Sequence, residues 1–421
     1  MMMSIRSGLL MAAVISAAVV TANPADALHR DLRQPIDQIA SGHDVSVAVA
    51  ARCTLLYEHA ADDRRAPASV QKLFLSMALF DELGPDHRIA TRVLSTENRR
   101  AARNLWVVGG GDPSMVSGSG GVGRSANRIA RAGIERVSGS VIVDSSLFSN
   151  DWRAPGWQPW SRDFVTRPTA LAVDGNGSPD PPLTFGSSLT DALKTRGIAV
   201  GHNPLSGRVP ARARMVARVR SAPLRVLVTR MNTTSSNFYA EMLGKLLGSR
   251  TFGPPGTMSK GARAIEGFAA QHGVELRAHD SSGLSYANRV NAHDLVVLLD
   301  HAWRQPWGRA LRFSLPSPGE GTLVSRLEGV PLHAKTGTLW NGSSALAGWV
   351  RLRKGGMAAF AILAHGAGKS IEDSIVNRIA TELKAPKGPA SNCQLGGSRA
   401  GTRCHLEHWW KEIGPPARTP E

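Results

Sequence analysis

A serine hydroxyl becomes a nucleophile only when a neighbouring group takes its proton. In this 421-residue chain Ser69 is the only serine with a lysine, Lys72, three residues on. Positions i and i+3 of a helix share one face, so Lys72 would stand about one turn from the hydroxyl. The start of a helix also turns backbone N–H groups toward a developing oxyanion. A lysine that acts as a base must be partly neutral near pH 7, which burial favours, and the run from Val70 to Leu83 is apolar almost all round. Two further stations follow in order, Ser235-Ser236-Asn237 and Lys335-Thr336-Gly337. Each has a bland alternative. Ser69 after Pro67 and Ala68 could cap a helix, Lys72 could be an exposed helical lysine, and Ser125-Ala126-Asn127 fits the Ser-x-Asn pattern equally well. Lys-Thr-Gly occurs once, a match expected by chance in about one chain in twenty of this composition. Order and setting together raise the three above coincidence.

The elements that would position them read as follows. A short helix near Pro35 to Ser41 precedes two apolar strands, Val45 to Arg52 and Thr54 to His59. Pro67-Ala68-Ser69 launches the buried helix, which ends at Gly84-Pro85. Leu224 to Met231 is helical ahead of Ser235. Lys335 to Gly337 precedes the strand Ala345 to Arg351, which turns at Lys354-Gly355-Gly356 into Met357 to His365, and Ser370 to Leu383 closes as an amphipathic helix. Both ends of the chain thus contribute to one α/β layer. Between Ile89 and Leu224 the Gly/Ser-rich and Trp/Pro-rich stretches suggest a loop-rich insert, and Gly109-Gly110-Gly111 lacks the Gly-Lys-Ser/Thr ending of a phosphate loop. Within the insert, arginines at 212, 214, 218 and 220 alternate with apolar residues as on a strand with a basic face.

Composition narrows the class. With 42% hydrophobic and 20% charged residues the chain is globular and long enough for two cores. Met1 to Ala27 has a charged start, a twelve-residue apolar run from Leu9 to Val20 and a small-residue cleavage site, the pattern of a signal peptide. That places the protein outside the cytoplasm, in the periplasm or cell-wall space. The excess of 50 Lys and Arg over 33 Asp and Glu then points away from nucleic acid and toward an anionic wall polymer or membrane surface. Cys393 and Cys404 could close a small tail loop, and Cys53 reads as a buried residue within a strand. Cys393, Cys404, His405 and His408 match no standard zinc spacing. From Lys387 onward a flexible tail is expected.

Taken together, Ser-x-x-Lys, Ser-x-Asn and Lys-Thr-Gly resemble the signature of the penicillin-recognising serine acyltransferases. Pro67 to Leu73, Gly111-Asp112-Pro113, Ala154-Pro155-Gly156-Trp157, Asp280 to Ser285 and Lys335 to Leu339 narrow this to the low-molecular-mass class C penicillin-binding proteins. These are the D-alanyl-D-alanine carboxypeptidases and endopeptidases. The similarity runs from Ile36 to Leu383. It implies an α/β (α+β) fold: a β-lactamase/transpeptidase-like domain with an antiparallel sheet flanked by helices, over 28–88 and 225–386, and a smaller α+β insert over 89–224. It implies Ser69 as acylated nucleophile, Lys72 as its base, Ser235 as proton relay and Asn237 as holder of the substrate amide. Lys335 would supply positive charge, Thr336 would bind the substrate carboxylate, Gly337 would permit close approach, and the N–H groups of Ser69 and Thr338 would form the oxyanion hole. Peptidoglycan stem peptides become the expected substrate and β-lactams covalent inhibitors, with no metal or organic cofactor.

The chain departs from the family pattern in three places. Ser236 replaces the usual Asp, Asp280-Ser281-Ser282-Gly283 replaces Asp-Gly-Ser-Gly, and only 162 residues lie between Lys72 and Ser235. The shortfall falls between Ser178 and Ser187, so one of two nested inserts is expected to be missing or reduced to a loop. A β-lactamase, an esterase or a catalytically silent wall protein of the same fold remain alternatives. No Glu-x-x-x-Asn lies between Asn237 and Lys335, which disfavours one large β-lactamase class.

Overall fold

The computed structural model describes residues 33–97, 100–385 and 395–397. A helix α1 over residues 33–40 leads to strands β1 (Val45–Ala51) and β2 (Thr54–His59). Arg52 and Cys53 link them with positive φ at both positions, the turn that matches the natural twist of a hairpin. Cys53 therefore sits in a turn instead of a strand. It is disulfide-bonded instead of a free buried thiol. A 3₁₀ turn over Ala68–Val70 feeds α2 (Gln71–Leu83), in which every residue from Gln71 to Phe80 is buried. The signal segment, the tail and the cysteine–histidine group of Cys393, Cys404, His405 and His408 lie outside the described residues.

The chain then leaves for the insert. Its strands are β3 (Ala90–Ser95), β4 (Ala101–Ala102), β5 (Leu105–Val108), β6 (Arg136–Val137), β7 (Val141–Asp144), β8 (Ala199–Val200), β9 (Leu205–Ser206) and β10 (Arg214–Arg220). Helices α3 (Val122–Arg131) and α4 (Pro181–Lys194) cross over between them. The main sheet runs β10-β3-β5-β7-β9, with β5, β7 and β9 parallel, and β4-β6-β8 form a small parallel sheet. The insert is thus more ordered than its Gly and Pro content suggested. Its strands are only two to seven residues long and its crossovers carry the Gly-rich stretches, so no long periodic run betrays them. Leu105, Val107, Val141, Phe185 and Leu189 form a core of its own. Arginines 214, 218 and 220 are exposed while Ala217 and Val219 are buried, as the alternation predicts, but Arg212 precedes the strand and a register shift between Met215 and Ala217 leaves Met215 exposed. The entering and leaving chains are stitched together by two hydrogen bonds: Ser221 N–H donates to Ile89 O at 2.8 Å, and Ile89 N–H donates to Ser221 Oγ at 2.9 Å.

Beyond the insert come α5 (Leu224–Thr233), α6 (Asn237–Phe252), α7 (Met258–Gln271), α8 (Ala292–Arg304) and α9 (Gly308–Arg312), then β11 (Leu332–Thr338), β12 (Ser343–Arg351), β13 (Met357–His365) and α10 (Lys369–Glu382). The large sheet is antiparallel in order β11-β12-β13-β1-β2. Its two faces differ. Ala48, Ala50, Ala345, Ala347, Ala359 and Ala361 face the core shared with α2, α6 and α8. Val47, Val49, Leu346, Phe360 and Ile362 face the core closed by α1 and α10. Small residues on the first face let α8 lie against β1 and β13. On the far side of α2, α6 crosses α7 through Gly244, Gly248 and Gly261, where an added Cβ would strike the partner backbone or Ser281.

Lys245 on α6 is fully buried and ties the insert to this side. Its ammonium donates to the carbonyls of Ser149 (2.9 Å), Asp151 (2.7 Å) and Pro168 (3.3 Å) and pairs with the Asp151 carboxylate at 2.8 Å. Burial works against the charge on Asp151, but Lys245 and Ser149 outweigh it and the carboxyl pKa falls. Lys245→Ala strands three carbonyls and a carboxylate, so unfolding in urea should lose about 3 kcal/mol. A loss below about 1 kcal/mol would mean that the pair behaves as a surface bridge.

Candidate active site

Ser69 lies inside the 3₁₀ turn that precedes α2, and the helix has no side-chain cap. Its hydroxyl is therefore not the cap that the bland reading allowed. Ala68 before it holds φ at +48°, a conformation rarely kept by a non-glycine residue without a functional constraint. Lys72 is fully buried, and its Nζ stands 3.0 Å from Ser69 Oγ, 2.8 Å from Asn237 Oδ1 and 2.6 Å from the Ser282 carbonyl. A charged ammonium would spend all three of its hydrogens on these oxygens. A neutral amine keeps two hydrogens for Asn237 and Ser282 and points its lone pair at the Ser69 hydroxyl. Burial favours that state, pushing the Lys72 pKa from 10.5 down to about 7 against the pull of Asp280 and Glu241.

The second station closes on the same space. Ser235 sits at φ +54° in the turn between α5 and α6. Lys335 donates to Ser235 Oγ at 2.9 Å and to the Thr336 carbonyl at 2.8 Å. It is fully buried, and its pKa falls well below the usual lysine value through desolvation and then through the nearby charge of Lys72. Ser236 accepts from Tyr239 N–H at 3.3 Å and caps α6. Asp and Ser serve equally as N-caps, so the change from the family's usual Asp keeps the function of that position. Asn237 opens α6 and donates from Nδ2 to the Phe164 carbonyl of the insert at 3.1 Å.

Strand β11 carries Lys335, Thr336, Gly337 and Thr338 along the edge of the large sheet. A Cβ at Gly337 would lie 2.8 Å from Pro67 O and 3.0 Å from Ser69 N. The strand therefore runs in contact with the backbone of the serine turn, as close approach requires. Hydrogen bonds thus join Ser69, Lys72 and Asn237 in one group and Ser235 with Lys335 in another, and Gly337 packs on the serine turn with Thr336 and Thr338 beside it on β11. Ser125-Ala126-Asn127 instead falls on α3 of the insert, with Ser125 and Ala126 in its buried face.

Several residues that shape the site carried no role in the sequence reading. Glu241 lies one turn beyond Asn237 on α6, and its Oε1 accepts from Ser281 N–H (3.2 Å) and Ser282 N–H (2.8 Å). It thereby aims the Ser282 carbonyl at Lys72. Burial, with Asp280 adding to it, lifts its pKa to about 8. Asp280 is fully buried and accepts from Trp157 Nε1, Ser282 Oγ, Gly283 N, Ser285 N and Asn288 Nδ2 at 2.8 to 3.1 Å. The i+4 spacing from Asn237 was the available signal for Glu241. For Trp157 there was only its place in a family-like motif. Ser281, in place of the commoner Gly, fits because position 244 beside it is glycine. Among the described residues no cluster of His, Cys, Asp and Glu could hold a metal ion.

Residues 28–179 and 176–384 match the D-Ala-D-Ala carboxypeptidase 3 (S13) family. The chain belongs to that family. It is a serine-type hydrolase of the carboxypeptidase class. The two matched segments meet at 176–179, next to the place where the missing insert was expected. The chain is 27% identical to the D-alanyl-D-alanine carboxypeptidase of an Actinomadura species over 89% of each chain. It is 30% identical to carboxypeptidase DacB of Mycolicibacterium smegmatis over 74% of each. The crystal structure of penicillin-binding protein 4 from Haemophilus influenzae superposes with a TM-score of 0.71 at 20% identity, covering 84% of this chain and 99% of that one. That penicillin-binding protein thus shares the fold of this chain, an antiparallel sheet with flanking helices.

Two outcomes follow from the geometry. Only neutral Lys72 can take a proton, so the rate of penicillin acylation should climb about tenfold per pH unit below about 7 and level off above it. A profile flat from pH 5 to 9 would remove Lys72 as the base. Gly337→Val forces β11 away from Pro67 and Ser69, and acylation should fall by about tenfold or more while the melting temperature moves little. Unchanged acylation would show that the contact has no bearing on the reaction.

Proposed function

We propose that this protein is an exported D-Ala-D-Ala carboxypeptidase that trims peptidoglycan stem peptides through an acyl-enzyme on Ser69. The observation that carries the reading is the fully buried Lys72 amine 3.0 Å from the Ser69 hydroxyl, with Ser235 and Lys335 paired beside it. In the proposed step Ser69 Oγ attacks the carbonyl between the two D-alanines and Lys72 accepts its proton. The oxyanion is held by the N–H groups of Ser69 and Thr338, each such donor being worth about 3 to 4 kcal/mol in comparable sites. Ser235 passes a proton to the departing D-alanine amine, and Lys335 with Thr336 grips that residue's carboxylate. Water, deprotonated through the same lysine, then releases the shortened peptide. A cross-bridge ending in the same linkage would be cut by the same steps, which is the endopeptidase activity.

A β-lactam presents a strained amide with a carboxylate in a similar place, so acylation of Ser69 by penicillin belongs to the same proposal. The Met1 to Ala27 segment and the disulfide at Cys53 support export to the cell-wall space. The division into 28–88 with 225–386 and an insert at 89–224 is part of this reading. It is supported by the separate core of the insert and by the paired connections at Ile89 and Ser221.

The test is labelling with fluorescent penicillin alongside release of D-alanine from a peptide ending in D-Ala-D-Ala. Wild-type protein should take one label and release D-alanine, and Ser69→Ala should do neither. Thr336→Val should cut peptide turnover by about tenfold or more while sparing a simple ester, because only the peptide needs its carboxylate held. A label elsewhere than Ser69, or D-alanine release that survives Ser69→Ala, would end the proposal.

A further inference from the structure

Five arginines converge on a groove of about 520 Å³ at the free edge of the insert's main sheet. Arg88 comes from the connection into β3, Arg124 and Arg128 from α3, and Arg218 and Arg220 from β10. Arg92 on β3 is the cross-strand partner of Arg218 and shares its face. The remaining lining residue, Val219, is buried. No carboxylate lines the groove. Among the described residues none of the five arginines is in an ion pair, although Arg124 feels the buried Asp112.

Charged residues on an edge strand guard against edge-to-edge pairing. That accounts for Arg218 and Arg220, and Arg88 also donates to Ser221 O at 2.9 Å, but neither accounts for Arg124 and Arg128, which reach the same concavity from α3. The groove is remote from the cleft. Ser69 precedes α2 and Arg88 follows it, and thirteen helical residues at about 1.5 Å each separate them by about 20 Å.

We propose that this groove is a second binding site, which takes a phosphodiester-bearing polymer of the cell wall. Guanidinium groups bind phosphate oxygens in pairs. Arginines one helical turn apart on α3 and two residues apart on β10 set cations at intervals of about 5 to 7 Å along both walls, which suits a ligand of repeating charge better than a single ion. Membrane-docking surfaces add exposed apolar side chains, and sites for single-stranded nucleic acid add aromatic ones for stacking. This groove has neither among its lining residues. Charge without apolar or aromatic company fits a chain of sugar or polyol phosphates. Where the polymer is met rests on the proposed export of the protein, whereas the binding itself does not.

The experiment titrates end-labelled poly(glycerol phosphate) into the full chain at several salt concentrations. Inorganic phosphate, phosphatidylglycerol vesicles and single-stranded DNA serve as parallel probes. The combined Arg124→Gln, Arg218→Gln and Arg220→Gln variant should bind the polymer about tenfold or more weakly. Its slope of log affinity against log salt should be smaller by about two, since each lost phosphate contact releases about 0.7 of a counterion fewer. Penicillin labelling of Ser69 should be unchanged. A control with the exposed Arg136, Arg208 and Arg263 changed to Gln should lose less than about threefold. Equal loss in both variants would reduce the effect to net charge and overturn the site. Groove-dependent binding of vesicles or DNA as tight as that of the polymer, or of inorganic phosphate at equal phosphate concentration, would overturn the assigned ligand. Polymer binding without any label on Ser69 would sink the proposed function and leave the groove standing.

Discussion

The cleft depends on keeping one amine dry beside one hydroxyl. In water Lys72 would hold its proton at neutral pH and could not receive another. Burial removes that obstacle, and burial of a long side chain requires surroundings of a particular kind. The helix that carries it must be apolar on every face, and so must be covered on every face. Helices α5, α6 and α7 pack around it, and the alanines of the sheet, on which α8 lies, share the same core. The composition of the large core is in this sense set by the chemistry of one side chain.

The same dry space holds four ionisable groups, Lys72, Lys335, Asp280 and Glu241, each fully buried. Two cations would repel one another there, and burial, then that repulsion, holds the Lys335 pKa well below the usual lysine value. Asp280 keeps its place through five donors, one of them the indole of Trp157 from the insert. Phe164 of the insert likewise accepts from Asn237. Ser285 Oγ donates to Pro155 O at 2.6 Å and Tyr286 N–H to Gly156 O at 3.1 Å, so the insert is bolted to the loop that orients Lys72. It is part of the positioning apparatus, whatever else its outer surface does.

Much of this was legible in advance where chemistry and local pattern coincide. Ser69 and Lys72 share a turn, their helix is apolar almost all round, and Lys335 lies just ahead of an evident strand pair. The alternation of arginines in β10 and the hairpin of β1 and β2 were equally visible. What escaped was long-range or buried in short elements. The parallel strands of the insert are too brief to show a period. Glu241 and Asp280 act through backbone groups of a distant loop, a connection that spacing alone cannot reveal. Cys53 looked like part of a strand because its neighbours are apolar, while its turn is set by positive φ at two residues that are not glycine.

The order of strands in the large sheet bears on how the molecule comes into being. β1 lies between β2 and β13, so the first strands made have no neighbour on one side until residues 357–365 exist. Lys335, too, is about 265 residues from the serine it faces. A chain made only part-way therefore cannot bring Ser69 and Lys72 together with Lys335. Until β11 to β13 have been made, topology alone keeps these groups apart.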